Sequence, residues 1–508
     1  MKLKELSSPI PCTFTNIWII LFAFLSTSSG SHFPKNFKFG VSTASYQIEG
    51  AWNVSGKGEN IWDRMTHEHP NWIEDRTNGD VACDSYHQWK TDIELINNLG
   101  VDFYRFSLSW SRLLPTGFSN YVNPDGVRYY NGIINELLKN NIEPIITIYH
   151  WDLPQPIQNE GGWPNIVTAE YFADYAKVAF ELFGDRVKTW ITFNEPIEIC
   201  QNGYGGGGKA PRIFSSGVSD YLCGRTLLMA HAKVFHLYDR HYRHKQQGKI
   251  GVTINTGWFE PKSNDPKDVA AAELSLQMMF GWWTNPIFSK TGDYPLLMKD
   301  RIANISRAQH FKRSRLPNFN NEEIKFIQGT SDFLGLNHYS TVLASYAPLP
   351  NVIPVSFSND LNVKTEVDPK WIPSAATWIH DVPWGFRKLL NWIKGEYNNP
   401  PVFVTENGYP DVGQFNDMER IHYLQGYLDE LLKAILVDDC NVYAYSVWSV
   451  LDNMEWNRGY TLKFGLYHVN FTDPKRKRSP KSSVQFYKDF IKSSRKFDSI
   501  EMKSMVSN

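Results

Sequence analysis

Apolar and polar positions alternate between two kinds of segment along the whole chain. Short apolar runs rich in β-branched and aromatic residues occur at FKFGVSTA (37–44), VDFYRFSLSW (101–110), EPIITIYHW (143–151), KTWITFNE (188–195), KIGVTINT (249–256), DFLGLNHYS (332–340), PVFVTEN (401–407) and VYAYSVW (442–448). Such runs predict strands. Between them lie amphipathic segments such as TAEYFADYAKVAFELFGD, in which Phe172, Tyr175, Ala176, Ala179, Phe180 and Phe183 keep the i, i+3, i+4 spacing of a helix laid against a sheet. The alternation predicts an α/β fold with a parallel sheet. Eight strand–helix repeats point to a closed (β/α)8 TIM barrel, whose chemistry sits at the C-terminal ends of its strands; a doubly wound open sheet is the structural alternative. No Gly/Ser or Pro-rich linker interrupts the chain, so residues 31–497 read as one domain, followed by a polar tail over 498–508. The Pro-studded stretch from Ala347 to Ala376 is long for a connection and is expected to be a loop framing the mouth of the site.

Composition narrows the partners. With 42% hydrophobic residues in 508 the chain has material for a large core, and a net charge of −1 leaves no basic footprint for nucleic acid or an anionic membrane. A small molecule is the expected partner. The 18 tryptophans suit flat platforms for sugar rings as well as core packing. At the N-terminus, Lys2 and Lys4 precede the apolar run Ile17 to Leu25 and the small residues Ser26 to Ser31. That pattern predicts a secretory signal over residues 1–30, too short for a membrane span of about 20 residues, and hence a secreted product without an anchor. Sequons at Asn53, Asn304 and Asn470 fit this route. Beyond the signal, Cys83, Cys200, Cys223 and Cys440 allow three full pairings; Cys200 with Cys223 is favoured because both lie in one loop-rich stretch, and four buried thiols are the alternative.

Several runs end in polar or aromatic groups. Gln47 follows the first, Arg105 lies in the second, and His150-Trp151, Asn194-Glu195, Asn337-His338-Tyr339, Glu406-Asn407 and Trp448 close others. One such Glu is commonly only a neighbour of a helix cap, but in a barrel all these positions converge on one rim. Two carboxyls there suit glycoside hydrolysis, one protonating the leaving oxygen and the other acting at the anomeric carbon. Arg105 pointing inward would keep one of them ionised, and Tyr339 could donate to the same group. Gln47, His150, Asn194 and Glu455 would meet sugar hydroxyls, with Trp448 and Trp456 as stacking surfaces. Glu195 is expected to have a raised pKa supplied by its negative neighbour, and Pro196 to turn the chain away so that no helix begins over the acid. GYGGGGKA (203–210) nearly spells a phosphate loop but fails at Ala210, and reads as a flexible loop. His67-Glu68-His69 lacks the i, i+4 spacing of a zinc helix and reads as a surface loop, so no metal is implied.

Taken in order, FKFGVSTASYQIEGAW (37–52), YRFSLSWSRLLPTG (104–117), YHWDLPQ (149–155), TFNEP (192–196), GLNHYS (335–340), VTENG (404–408) and SVWSVLDNMEWNRGY (446–460) resemble the family 1 glycoside hydrolases along essentially the whole mature chain. The wording is most similar to insect members, among them secreted β-glucosidases and myrosinases. The resemblance implies a single barrel with elaborated βα loops, no cofactor, Glu195 as acid/base and Glu406 as nucleophile. It implies that Asn194 holds the sugar's 2-hydroxyl, that Gln47, His150, Trp448, Glu455 and Trp456 bind the glycone, and that Arg105, Asn337 and Tyr339 surround the nucleophile. Trp378 matches the aromatic floor under the leaving group. Glu455-Trp456 stands where phospho-sugar members bind their anion, so an unphosphorylated glycone is implied, glucose first, with galactose or fucose as alternatives. The substrate is then a β-glucoside or a thioglucoside. Plant myrosinases carry Gln at the acid position whereas insect ones keep Glu, so Glu195 leaves a glucosinolate substrate open. Lys209 and Arg212 could meet its sulfate, although solvated loop charges is the favoured reading. A silent sugar-binding barrel is the rival from another class, and would be expected to lack one of the carboxylates.

Overall fold

The computed structural model describes residues 32–496; the expected signal over 1–30 and the expected tail over 498–508 lie outside the described residues. Each of the eight runs contains a strand: β1 Lys38–Ser42, β2 Phe103–Ser107, β3 Glu143–Tyr149, β4 Thr189–Asn194, β5 Lys249–Asn255, β6 Phe333–Asn337, β7 Val402–Asn407 and β8 Val442–Trp448. They pair in sequence order, all parallel, and β8 closes on β1 through Ser42 opposite Trp448. The barrel, and not the open sheet, is the fold.

Alternation along the strands explains what fills it. Phe103, Ile145, Ile191, Phe333, Phe403 and Ala444 form an apolar cluster of their own. The rings of Phe103 and Phe403 meet edge-on at 5.1 Å although β2 and β7 are not neighbours, which places this layer on the barrel axis. Gly40 and Gly251 make room for it, since a Cβ there would fall 2.1 Å from the Phe103 ring and 2.4 Å from the Phe333 ring. Two positions further along their strands, the inward residues become polar: Ser42, Arg105, Thr147, Thr253, Thr405 and Ser446, all buried. Above them Asn194, Asn337, Glu406 and Trp448 reach the C-terminal rim. Strict alternation would put Ile191 and Asn194, or Thr405 and Glu406, on opposite faces. Register shifts between Ile191 and Asn194 in β4, and between Val404 and Glu406 in β7, turn all four inward.

Helices cover the outside. In Thr168–Phe183 the whole expected stripe is buried, with Phe172 stacked on Phe193 at 4.4 Å and Phe180 edge-on to Trp190 at 5.0 Å. The stretch from Ala347 to Ala376 departs from the expected loop. It holds a helical turn, Phe357–Leu361, and a strand, Val363–Glu366, which joins Thr341–Tyr346 and Trp258–Pro261 in a small outer sheet. Its anchor is the buried carboxylate of Asp360, which accepts from Arg315 Nη1 at 2.8 Å and from the Tyr221 hydroxyl at 2.6 Å. Both partners are distant in sequence, so no local pattern announces the order. His67 and Glu68 likewise end a helix, Ile61–Glu68, started by a reciprocal Asn60–Asp63 capping box, instead of lying in a loop.

The packing of Phe172 gives a stability test. Its ring is fully buried among Phe193, Trp163, Trp110 and Tyr175. Phe172→Ala is expected to lower unfolding stability by about 3–5 kcal/mol, the usual cost of emptying such a site; denaturant unfolding measures it, and a loss below about 1 kcal/mol would show that the helix does not depend on this contact.

Candidate active site

Glu406, next to last in β7, has both carboxylate oxygens held. Oε1 accepts from Arg105 Nη1 at 2.6 Å and Oε2 from the Tyr339 hydroxyl at 2.7 Å. The Arg105 guanidinium is buried and places three further donors on Thr147 Oγ1 at 3.0 Å, Asn194 Oδ1 at 2.6 Å and the Thr405 carbonyl at 3.3 Å. A buried ion pair holds only when such extra bonds satisfy its other atoms. Burial, followed by the charges of Glu406 and Glu195, pushes the Tyr339 phenol far up, so it stays a donor.

Glu195 leaves β4 with a left-handed backbone, φ 54°, and its Oε1 accepts from Asn337 Nδ2 at 2.6 Å. Asn337 is fixed in turn, accepting from Thr405 Oγ1 at 2.7 Å and donating to Asn194 Oδ1 at 3.1 Å. The Glu195 pKa is raised, as expected, but burial is the first cause and the Glu406 charge the second; Glu198 adds to them, while Asn337 and Lys209 oppose. The expectation for Pro196 is corrected. Helical structure begins at Pro196 itself and continues as a wide π-type segment, Glu198–Gly205, with Glu198 and Ile199 donating to the Glu195 carbonyl. Proline suits a first helical position because it has no N–H to leave unpaired. The turn away from the strand is made by Glu195. Cys200 bonds Cys223 and pins this segment to the helix Ser219–His241, while Cys83 and Cys440 are buried thiols.

The remaining expected residues gather around these two. Asn194 Nδ2 lies 3.1 Å from His150 Nε2. Burial, then the charges of Arg105 and Lys209, holds the His150 pKa low, so the ring is neutral and Nε2 accepts. Gln47 Nε2 donates to Asn453 Oδ1 and the Met454 carbonyl, both at 2.9 Å, and to Glu455 Oε2 at 3.3 Å. His150 Nδ1 and Gln47 Oε1 are buried without a protein partner, a donor and an acceptor of the kind sugar hydroxyls satisfy. The Glu455 carboxyl is pushed up to about 7 by burial. Trp456 packs on Trp151 at 4.5 Å, and His150 lies nearly parallel to Trp448 at 5.8 Å. Trp151 and Trp456, like Glu195, have positive φ, 76° and 52°, so three rim residues share a conformation that side chains resist. Trp378 stands apart at the rim, 46% exposed, with the Arg458 guanidinium 5.0 Å over its ring.

Lys209 belongs to this site and not to a solvated loop. Its ammonium lies 4.3 Å over the Trp151 ring and 3.8 Å from Glu198 Oε2, beside a small cavity lined by Trp62, Trp151 and Glu198. Arg212 is also packed, over Trp72 at 4.2 Å. The glycine run before them gave the decoy motif, and only the aromatic partners, distant in sequence, reveal the placement. Among the described residues no group of three His, Cys, Asp or Glu side chains is arranged to hold a metal ion.

Residues 29–496 match the family model described as glycosyl hydrolase family 1. Myrosinase 1 of Brevicoryne brassicae is 48% identical over 461 residues, covering 90% of this chain and 98% of that protein. The cytosolic beta-glucosidase of Homo sapiens is 42% identical over 463 residues, covering 91% and 98%. Among solved structures, an aphid myrosinase superposes with a TM-score of 0.87 at 47% identity, covering 91% of this chain and 99% of that one.

The causes of the Glu195 shift can be separated. With 13C-labelled glutamate, the carboxyl resonance of Glu195 is expected to titrate above the ordinary range; Glu406→Gln, by removing the second cause, lowers the midpoint but leaves it raised, because burial remains. An unchanged midpoint in the variant would show that the two carboxylates are not coupled.

Proposed function

Because the chain belongs to glycosyl hydrolase family 1, we propose that it hydrolyses β-D-glucosides by double displacement, with Glu406 as nucleophile and Glu195 as acid/base. The observation that carries this is the opposite treatment of two buried carboxylates. Glu406 receives a charged donor on one oxygen and a phenol on the other, whereas Glu195 receives one neutral amide and is driven toward its protonated form by burial and by the neighbouring charge.

In the first step a Glu406 oxygen bonds to the anomeric carbon while the bond from that carbon to the aglycone oxygen breaks, and the Glu195 proton passes to the departing oxygen. Glu406 is then an ester without charge. The Coulomb contribution to the raised Glu195 pKa disappears with it, so the same residue, now a carboxylate, can take a proton from water as that water attacks the anomeric carbon. The second displacement restores Glu406 and releases a β-configured sugar. Asn194, His150, Gln47 and Glu455 offer directional contacts for the glycone hydroxyls, and Trp448 and Trp456 offer flat faces. A carboxyl at Glu455 supports a glycone without phosphate, glucose before galactose or fucose. The resemblance to Myrosinase 1 supports a second reading, cleavage of thioglucosides at the same pair. A retained acid favours O-glucosides, whose leaving oxygen needs a proton. Secretion is part of the proposal, supported by the sequence pattern of a basic start, an apolar run and small residues over 1–30, the Cys200–Cys223 bond and the exposure of Asn53, Asn304 and Asn470, which we propose as glycan acceptors.

Protonation of the leaving group can be isolated. Glu195→Gln is expected to slow alkyl glucosides on the order of 10²–10⁴-fold, the usual worth of a general acid, but aryl glucosides with activated leaving groups far less in the first step; equal losses on both would remove Glu195 from the acid role. In the unaltered enzyme the alkaline limb should follow Glu195, activity falling as pH rises through its raised pKa because the acid is then lost. A panel of cellobiose, aryl β-glucosides and a glucosinolate decides the substrate: glucose released from none of them overturns the proposal, and a strong glucosinolate preference selects the second reading.

A further inference from the structure

After the segment Glu198–Gly205 the chain makes a tight hairpin. Gly206 bridges Phe214, Ile213 N donates to the Gly203 carbonyl and Ser215 N to the Gly205 carbonyl, each at 2.9 Å. The hairpin presents two cations to aromatic faces, Lys209 to Trp151 and Arg212 to Trp72. Their charges are answered differently. Lys209 has Glu198 at 3.8 Å, whereas the guanidinium of Arg212 has neither a carboxylate nor any hydrogen-bond acceptor among the described residues, and its Nε is buried. Its backbone is left-handed, φ 64°, and its N–H donates to the Lys209 carbonyl at 2.8 Å, so the hairpin itself fixes where the side chain stands.

Position gives that unanswered charge a meaning. The Trp72 carbonyl accepts from Asn457 Nδ2 at 3.3 Å, and the Asn457 carbonyl accepts from Glu74 N at 2.8 Å. Arg212 therefore stands on the wall completed by the turn that carries Glu455 and Trp456, with Arg458 and Trp378 beyond it. The loop that follows Glu195 and the turn that carries Glu455 thus meet at this wall. Arg458 is neutralised by Glu74 at 2.5 Å, which leaves Arg212 as the cation at this wall without a partner. A planar guanidinium, partly stripped of water and stacked on an indole, is preorganised for two-point contact with an oxyanion.

We propose that Arg212 binds an anionic group, a carboxylate or a sulfate, on the aglycone of the glucoside. This rests on the reading of the chain as a β-glucosidase acting through Glu195 and Glu406. Three phenyl β-D-glucosides test it: one bearing a carboxymethyl group, its methyl ester, and one bearing a sulfate ester on a hydroxymethyl group, the methylene insulating the leaving oxygen from the charge. The unaltered enzyme should show a higher kcat/KM for at least one charged compound than for the ester, and the one preferred identifies the anion. Arg212→Gln should lower the charged-to-ester ratio about tenfold, the worth of one charge-assisted hydrogen bond, mainly through KM, and Arg212→Lys should restore part of it. Cleavage of the ester with no preference for charge, or a ratio that Arg212→Gln leaves unmoved, overturns the role of Arg212 alone. If the unaltered enzyme cleaves none of the three, the glucosidase reading falls and this one with it.

Discussion

A single guanidinium, buried on the barrel axis, ties together parts of the molecule that share no sequence neighbourhood. Arg105 rises from β2 and bonds Thr147 of β3, Asn194 of β4, and both the Glu406 side chain and the Thr405 carbonyl of β7. A charge so far from water is costly, and removing one partner of a buried pair typically costs about 3–5 kcal/mol. The barrel must therefore close in a register that brings all four acceptors within reach. The apolar layer beneath, with Phe103 two residues earlier on the same strand, supplies the burial that makes that constraint strong.

The same guanidinium makes the two glutamates chemically unlike. Arg105 reaches Glu406 directly but Glu195 only through the amides of Asn194 and Asn337. One carboxyl is paired with a cation, while burial without such a partner disfavours charge at the other. Once that difference is set, each acid's charge becomes a control on its neighbour, and on the proposed mechanism the loss of one charge in a covalent intermediate changes the other's preference.

Much of this was legible in the sequence, for definite reasons. The strands showed because their β-branched and aromatic runs are locally consistent, and the site residues because a parallel barrel gathers strand ends on one rim. Register shifts in β4 and β7 were not legible, since a bulge belongs to a pair of strands and not to either one. Nor was the left-handed backbone of Glu195, which makes the turn that Pro196 had been expected to make; proline's compatibility with a first helical position was the competing rule. Asp360 and Lys209 were hidden for a third reason. Their placement depends on Arg315, Tyr221 and Trp151, partners that only the folded chain brings near.

Three left-handed residues on the rim show how the two levels of the structure are joined. Glu195, Trp151 and Trp456 each hold a conformation costing of order 1–3 kcal/mol, and such strain persists only where the surroundings over-determine it. Here the Trp151 indole donates to the Asn194 carbonyl at 2.9 Å, Glu195 N donates to the Thr253 carbonyl at 2.9 Å, and Trp456 packs on Trp151. Each strained residue is thus held by a group already fixed by the barrel or by another strained residue. The loops that frame the mouth attach to this rigid ring, through Lys209 on Trp151 and Arg458 beside Trp456, and not to the Arg105 network below it. Changes in those loops can alter what the mouth admits while the two carboxylates keep their geometry.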